Sequence, residues 1–226
     1  HTNTGNSDLQ PDFIWIKDMG ASYQHYLVDS SRGRAKGLHS DDTSAETTTG
    51  STANDLVSFD SDGFKVGAPS EGNSTNGGTT NKVAWQWKCN GGTTSSLSSN
   101  INSVCQVNQD AGISIVKYVG NGSSGSTIGH GLSAAPEVII AKNLQNTTAW
   151  GVYVKDNVGS SGNPASERLT LQTSDATTTT TAYWGGTEPT SSVFTVGTEN
   201  AVNQSGYNTI AYCFTSISGF SKMGSY

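Results

Sequence analysis

Basic residues are scarce in this chain: lysine and arginine number 12 against 18 aspartates and glutamates, for a formal charge of -6 at pH 7. Phosphate backbones are gripped by clustered Lys and Arg that release counterions, so nucleic acid is not expected as a partner. Long apolar runs are lacking too. No stretch approaches the roughly 20 residues that cross a bilayer as a helix, and no basic-then-apolar leader opens the sequence, so no membrane span is expected. The start at His1 rather than Met reads as a processed chain or part of a longer one. Cysteine is sparse, with three residues and neither a Cys-x-x-Cys nor a paired His beside them, which leaves a zinc site without support. Cys213 sits in an alternating strand pattern and reads as a buried, inert thiol. Cys89 and Cys105 flank a Gly/Ser/Thr-rich stretch and form a possible disulfide. Whether they pair depends on their Cα atoms approaching within about 7 Å, which sequence does not fix.

A helical period is also missing. Hydrophobic residues make up 33% of the chain, yet they gather in short runs between Gly, Asn, Ser and Thr, enough for modest cores. Nine such runs read as strands: 13–16, 56–59, 64–66, 83–87, 113–118, 138–140, 150–154, 193–196 and 210–214. Asp62-Gly63 and Asn121-Gly122 are turn signals. Many short strands at fairly regular spacing argue for an all-β chain with two sheets sharing an apolar interior.

What the sequence does contain is a repetition. Pro11-Asp12-Phe13-Ile14-Trp15-Ile16-Lys17 is answered by Pro136-Glu137-Val138-Ile139-Ile140-Ala141-Lys142. Tyr26 to Asp29 matches Tyr153 to Asp156, Leu38 to Asp42 matches Leu171 to Asp175, and Phe64 to Gly67 matches Phe194 to Gly197. Asn81 to Lys88 then matches Asn208 to Thr215. Five matches in one order, with nearly constant offset, are the mark of a duplicated fold with variable loops. The expectation is two tandem, internally duplicated β-sandwich (jelly-roll-like) modules at 1–90 and 111–226, joined by a Gly/Ser/Thr-rich linker at 91–110. Threonine-rich stretches at Thr43 to Thr52 and Thr177 to Thr181 follow matched strands and read as equivalent loops. Phe220 to Tyr226 follows the second block as Ile113 to Tyr118 follows the first, each ending in Tyr after a Ser and a Lys.

Gln10 to Lys17, Asp29-Ser30-Ser31-Arg32-Gly33, Ser58 to Phe64 and Val83 to Lys88 together form a specific combination. Gly129-His130-Gly131-Leu132, Ala182-Tyr183-Trp184, Pro189 to Phe194 and Ala211 to Phe214 through Gly219 to Lys222 extend it over most of the chain. It resembles a tandem repeat family of tailed bacteriophages, especially those of marine bacteria and cyanobacteria. The resemblance implies a non-enzymatic structural or tail-fibre-like virion component, located extracellularly on the virion surface. Its implied partners are itself and other virion proteins, and it brings no catalytic residues and no cofactor. Cys89 departs from the family pattern, where a small residue is expected.

Candidate sites are few. Tyr183, Trp184 and Glu188 lie on a loop where aromatic rings can stack on host-surface glycans while Glu188 hydrogen-bonds them, the basis of an alternative adhesin function. The simpler reading, that Trp184 caps the core, is favoured because Trp is highly buried on average. Trp15, Trp85 and Trp87 read as core or interface. Asp41, Asp42 and Glu46 are near in sequence, but no pair of carboxylates is recognisable as an acid and a base. His25, His39 and His130 have no nucleophile elbow to serve. Asp60-Ser61-Asp62-Gly63 opens like a calcium loop but lacks its later ligands, so a plain turn is expected and no metal. Asn73, Asn121, Asn146 and Asn203 open Asn-x-Ser/Thr sequons of the kind that arise by chance in a Ser/Thr-rich chain.

Overall fold

The computed structural model describes residues 1–4, 8–48, 55–69 and 75–224. Asn73, Thr49 to Thr52 and the final Ser225-Tyr226 lie outside them. The described chain is almost entirely β, in antiparallel sheets, and divides into two compact units, His1–Thr93 and Thr94–Tyr226.

The first unit carries β1 (Phe13–Asp18), β2 (Tyr26–Asp29), β3 (Lys36–Gly37), β4 (Thr47–Thr48), β5 (Leu56–Asp60), β6 (Gly63–Val66) and β7 (Lys82–Trp87). The strands form a sheet in the order β2-β1-β7 and the hairpins β3-β4 and β5-β6. Side chains alternate across a strand. Ile14 and Ile16 of β1 therefore turn with Tyr26 and Val28 toward Leu56 and Phe64 of the hairpin, and these residues make one core. On the opposite face Phe13 stacks on its cross-strand partner Trp87 at 4.9 Å, and Trp15 meets Trp85 edge-on at 6.1 Å. The Asp62-Gly63 turn forms as expected. Gly63 has φ 124°, and a Cβ there would stand 2.3 Å from the His1 carbonyl oxygen, so both turn and close approach require glycine.

The second unit holds β8 (Ser95–Leu97), β9 (Ser103–Asn108), β10 (Ile113–Val119), β11 (Ser126–Gly129), β12 (Val138–Asn143), β13 (Gly151–Val154), β14 (Glu167–Thr170), β15 (Thr178–Thr179), β16 (Val193–Val196) and β17 (Asn208–Phe214). Two helical turns, a 3-10 turn at Pro164–Ser166 and α1 (Asn200–Asn203), complete it. Eight strands run in the order β15-β14-β13-β12-β17-β10-β9-β8, and β11 pairs with β16. Val116, Tyr118, Ile139, Tyr153 and Cys213 of the large sheet share one core with Ile128, Phe194 and Val196 of the small one.

All nine strand expectations correspond to strands, some longer by a residue or more. The linker at 91–110 is corrected: it contains β8 and β9, two strands of the second unit's sheet, and the units divide at Thr93 and Thr94. Its polar composition misled because β9 buries small residues, Ser103 and Cys105, rather than large apolar ones. The possible disulfide is corrected as well. Cys89 and Cys105 are buried thiols belonging to different units; the Cys105 Sγ points inward and donates to the Gly129 carbonyl at 3.4 Å.

Strand registers recur between the units. Phe13↔Trp87, Trp15↔Trp85 and Trp15↔Leu27 in β2-β1-β7 correspond to Val138↔Phe214, Ile140↔Tyr212 and Ile140↔Val152 in β13-β12-β17. Lys36↔Thr48 corresponds to Glu167↔Thr179. His1 and Phe64 exchange backbone hydrogen bonds of 2.8 and 3.1 Å, where Ile128 and Phe194 pair in the second unit. Two sequence matches slip by two residues. Tyr26 stands level with Gly151 rather than Tyr153, and Leu38, bridged to Leu27, stands level with Leu169, which pairs with Val152. A slip of two preserves the buried face, which is why the pattern alone did not reveal it.

Candidate functional site

The polar residues most conspicuous in the sequence lie at the two ends of β1 and β12. The backbone N–H of Asp12 donates to the Trp87 carbonyl at 2.8 Å, and its carboxylate accepts from Ser30 Oγ at 2.8 Å, Cys89 N–H at 2.7 Å and Gly91 N–H at 3.0 Å. Glu137 stands in the same relation to β17. Its N–H donates to the Phe214 carbonyl at 2.8 Å, and its carboxylate accepts from Ser216 N–H at 3.0 Å and from Ser216 Oγ, with Lys155 Nζ at 3.2 Å. The Ser216 hydroxyl, aided by Lys155, holds the Glu137 carboxyl below its ordinary pKa. At the far ends, Lys17 Nζ donates to the carbonyls of Ala21 and Tyr23 at 3.2 and 2.8 Å. Lys142, fully buried, donates to those of Asn143, Asn146 and Thr148 at 3.1, 3.4 and 3.0 Å. In each unit the acid fastens the exit of the neighbouring strand and the lysine gathers the loop that follows. These charges hold backbone in place.

The remaining titratable candidates are similarly engaged. Asp41 accepts from the His25 N–H at 3.0 Å, Asp42 accepts from Ser44 N–H at 2.8 Å and from Gln24, and Glu46 pairs with Arg32 at 3.0 Å and Lys36 at 3.2 Å. Asp175 is an exposed loop residue. His25 Nδ1 accepts the Trp15 indole N–H at 2.8 Å, and His39 Nδ1 lies 2.7 Å from the His25 carbonyl. Asp62 ends a plain turn, and no group of three or more His, Cys, Asp or Glu able to hold a metal occurs among the described residues. Asn203 is buried, its side chain donating to Ser123 and Gly197 carbonyls and accepting from Asn121 and Gly122, so its sequon is structural.

His130 is buried with Nε2 donating to the Thr190 carbonyl at 3.1 Å and Nδ1 accepting from Leu132 N–H at 3.2 Å. That pair of bonds requires the neutral ring. Burial lowers its pKa from the ordinary 6.5, opposed by the bond to Thr190. The unfolded chain therefore takes up this proton first, and stability falls as pH drops below about 6.5 until the folded pKa is reached, by up to ~1.4 kcal/mol per pH unit. Urea unfolding of wild type and His130→Gln between pH 7 and 5 checks this, the variant giving the shallower dependence. A carboxylate contribution from Glu137, whose folded pKa is lowered, sets in only as pH falls below about 4.5.

The glycan candidates are corrected by burial. Tyr183 is 4% and Trp184 1% exposed; Trp184 lies edge-on to Tyr153 at 6.0 Å, and both loop aromatics belong to the second unit's core. Arg168 covers the Tyr183 ring at 5.3 Å and donates to its hydroxyl at 3.2 Å. Glu188 is exposed, while the two rings expected to stack on a sugar beside it are buried. The loop reads as polar in sequence because Gly185 and Gly186 turn it; its aromatics point inward all the same.

Sequence reasoning did not locate the open place in the first unit. A cleft of about 520 Å³ lies on the core side of its sheet, lined by Ile16, Met19, Phe64, Val66, Ala84 and Gln86 among others. β7 borders it, and beyond β7 no further strand stands among the described residues. Trp85, on the other side of β7, is 46% exposed and Met19 68%. Lys82 is held at the rim by Asp18 at 2.5 Å; that bond, with the Thr80 hydroxyl, keeps the Asp18 carboxyl far below its ordinary pKa. The one available signal was the alternation of Val83-Ala84-Trp85-Gln86-Trp87, which put both tryptophans on one face as core or interface.

Over residues 2–226 the chain matches the family described as a domain of unknown function, DUF7483, and it belongs to that family. No curated protein and no solved structure matches it.

Proposed function

We propose that this DUF7483 chain is a non-enzymatic structural component of a tailed-phage virion, a tail- or capsid-fibre-like or decoration protein acting in assembly and surface display. On this reading it consists of two copies of one jelly-roll-like β-sandwich module, and its partners are further copies and other virion proteins at the particle's outer surface. The observation that supports this reading is that the three-strand order β2-β1-β7 of the first unit, with its registers, recurs as β13-β12-β17 in the second, each with an acid and a lysine fastening backbone at the ends of the middle strand. A scaffold reuses a module and spends its polar residues on its own backbone. The resemblance of Gln10 to Lys17 and of Val83 to Lys88 to the repeats of tailed-phage proteins supports a place on the virion. The adhesin alternative loses Tyr183 and Trp184 to the core. Mass spectrometry and immunogold labelling of purified phage particles test the proposal: the chain is expected at structural stoichiometry on the particle surface. Its absence from particles, with abundance in the lysate, would count against it.

A further inference from the structure

We propose that the outer edge of β7, with the cleft beside it, receives an extended strand from a second copy of this chain, namely that copy's C-terminal segment beginning at Phe220. This deepens the assembly reading and rests on it.

The shape of the missing strand is given by the second unit. There β17, the counterpart of β7, is paired along its outer edge by β10, Ile113↔Phe214 through Val119↔Asn208. Val116 and Tyr118 of β10 point into the core and are buried; Tyr118 lies edge-on to Phe194 at 6.1 Å, and its hydroxyl donates to the Val202 carbonyl at 2.7 Å. Phe64 is the counterpart of Phe194, and in front of Phe64 lies the open cleft of about 520 Å³. Among the described residues no strand pairs with the outer edge of β7, and the cleft, which His1 also lines with its ring 5.5 Å from that of Phe64, lies where β10 would run.

The edge is able to pair. Met19 N–H donates to the Asn81 carbonyl across β1 and β7, so in the alternating antiparallel ladder Val83 and Trp85 turn their peptide groups to β1. Lys82, Ala84 and Gln86 turn theirs outward. An exposed edge of this kind takes up an extended segment through main-chain hydrogen bonds, with alternate side chains filling pockets.

The segment Phe220-Ser221-Lys222-Met223-Gly224-Ser225-Tyr226 has a Ser, a Lys and then a Tyr in the order of the β10 sequence, at a different spacing. Aligned on that tyrosine, Tyr226 takes the place of Tyr118 before Phe64, Gly224 lies opposite Ala84, and Met223 covers Trp85 on the outer face. In the single chain the start of this segment is held through its own neighbours, by the Ile217↔Ser221 bridge and by Met223 N–H on Ser216 Oγ at 2.9 Å, and it leaves Phe220 71% exposed. Pairing β7 with β7 of another copy would leave the cleft empty, because only Lys82, Ala84 and Gln86 would face it. Tail-to-edge contact is heterologous and builds open rows of molecules rather than closed pairs.

Analytical ultracentrifugation over a wide concentration range is expected to show the chain growing from monomer into a series of oligomers. Deletion of residues 220–226 abolishes the series, and Ala84→Pro does the same by removing an outward N–H while leaving the ladder to β1 and the circular dichroism unchanged. A synthetic Gly-Phe-Ser-Lys-Met-Gly-Ser-Tyr peptide should shift the tryptophan emission of the tail-deleted chain, less so in a Trp85→Phe background, whereas a scrambled peptide does not. Oligomers that survive both changes overturn strand donation and leave the assembly reading standing. A chain that stays monomeric yet is found on virions also overturns strand donation alone, as does a peptide that does not bind.

Discussion

Replacing Trp184 by alanine is expected to destabilise the second unit by about 3–5 kcal/mol, the range for removing a large aromatic from a packed core. The indole is fully enclosed, meets Tyr153 edge-on at 6.0 Å and packs in the same cluster as Phe194 and Val196. Trp184→Phe separates packing from polarity. The indole Nε1 has no hydrogen-bond partner among the described residues. An unpaired buried N–H costs roughly 1–3 kcal/mol, so the phenylalanine variant recovers on the polar side much of what it loses in volume and stays within about 1.5 kcal/mol of wild type. Guanidinium unfolding of the three proteins reads both numbers. An alanine variant as stable as wild type would show that Trp184 is not a core residue and would return the loop to consideration as a binding surface.

Lys142→Ala is expected to cost about 3 kcal/mol, against about 1 kcal/mol for Lys17→Ala. Both lysines end the same sequence motif and both hold carbonyls of the following loop, but Lys142 is fully buried and Lys17 is not. Without its ammonium group, the carbonyls of Asn143, Asn146 and Thr148 lose a donor where water has little access, and each stranded acceptor is penalised. Around Lys17 water can replace the ammonium group. Lys142→Met keeps most of the stem's volume, so a cost near that of the alanine variant assigns the effect to hydrogen bonding. Denaturant midpoints decide it; equal losses at positions 17 and 142 would sink the argument.

The class of fold and most of its strands were legible because short β-branched and aromatic runs between turn formers leave little else for the chain to do. Phe13 to Ile16 and Ile210 to Phe214 could be read from alternation alone. β8 and β9 could not, since Ser95-Ser96-Leu97 and Ser103 to Asn108 carry little hydrophobic pattern and owe their order to the strand β10 beside them. The site was less legible. A loop holding Tyr183-Trp184-Gly185-Gly186 resembles a sugar platform on paper, because sequence does not say which way a glycine-turned loop aims its rings.

The sequence by itself determined which residues alternate on one face, the paired acid and lysine at the ends of β1 and β12, and the excess of acidic over basic residues. Tertiary structure decided how deeply each position is buried. Trp85 and Tyr212 hold the same place in corresponding strands, yet Tyr212 is fully buried and Trp85 46% exposed. Trp85 lies on β7, paired by β1, and Tyr212 on β17, paired by β12; among the described residues β17 also has β10 on its other side, and β7 has no strand there. Burial depends on neighbours brought from elsewhere in the chain, and a local pattern of residues carries no information about whether such a neighbour arrives.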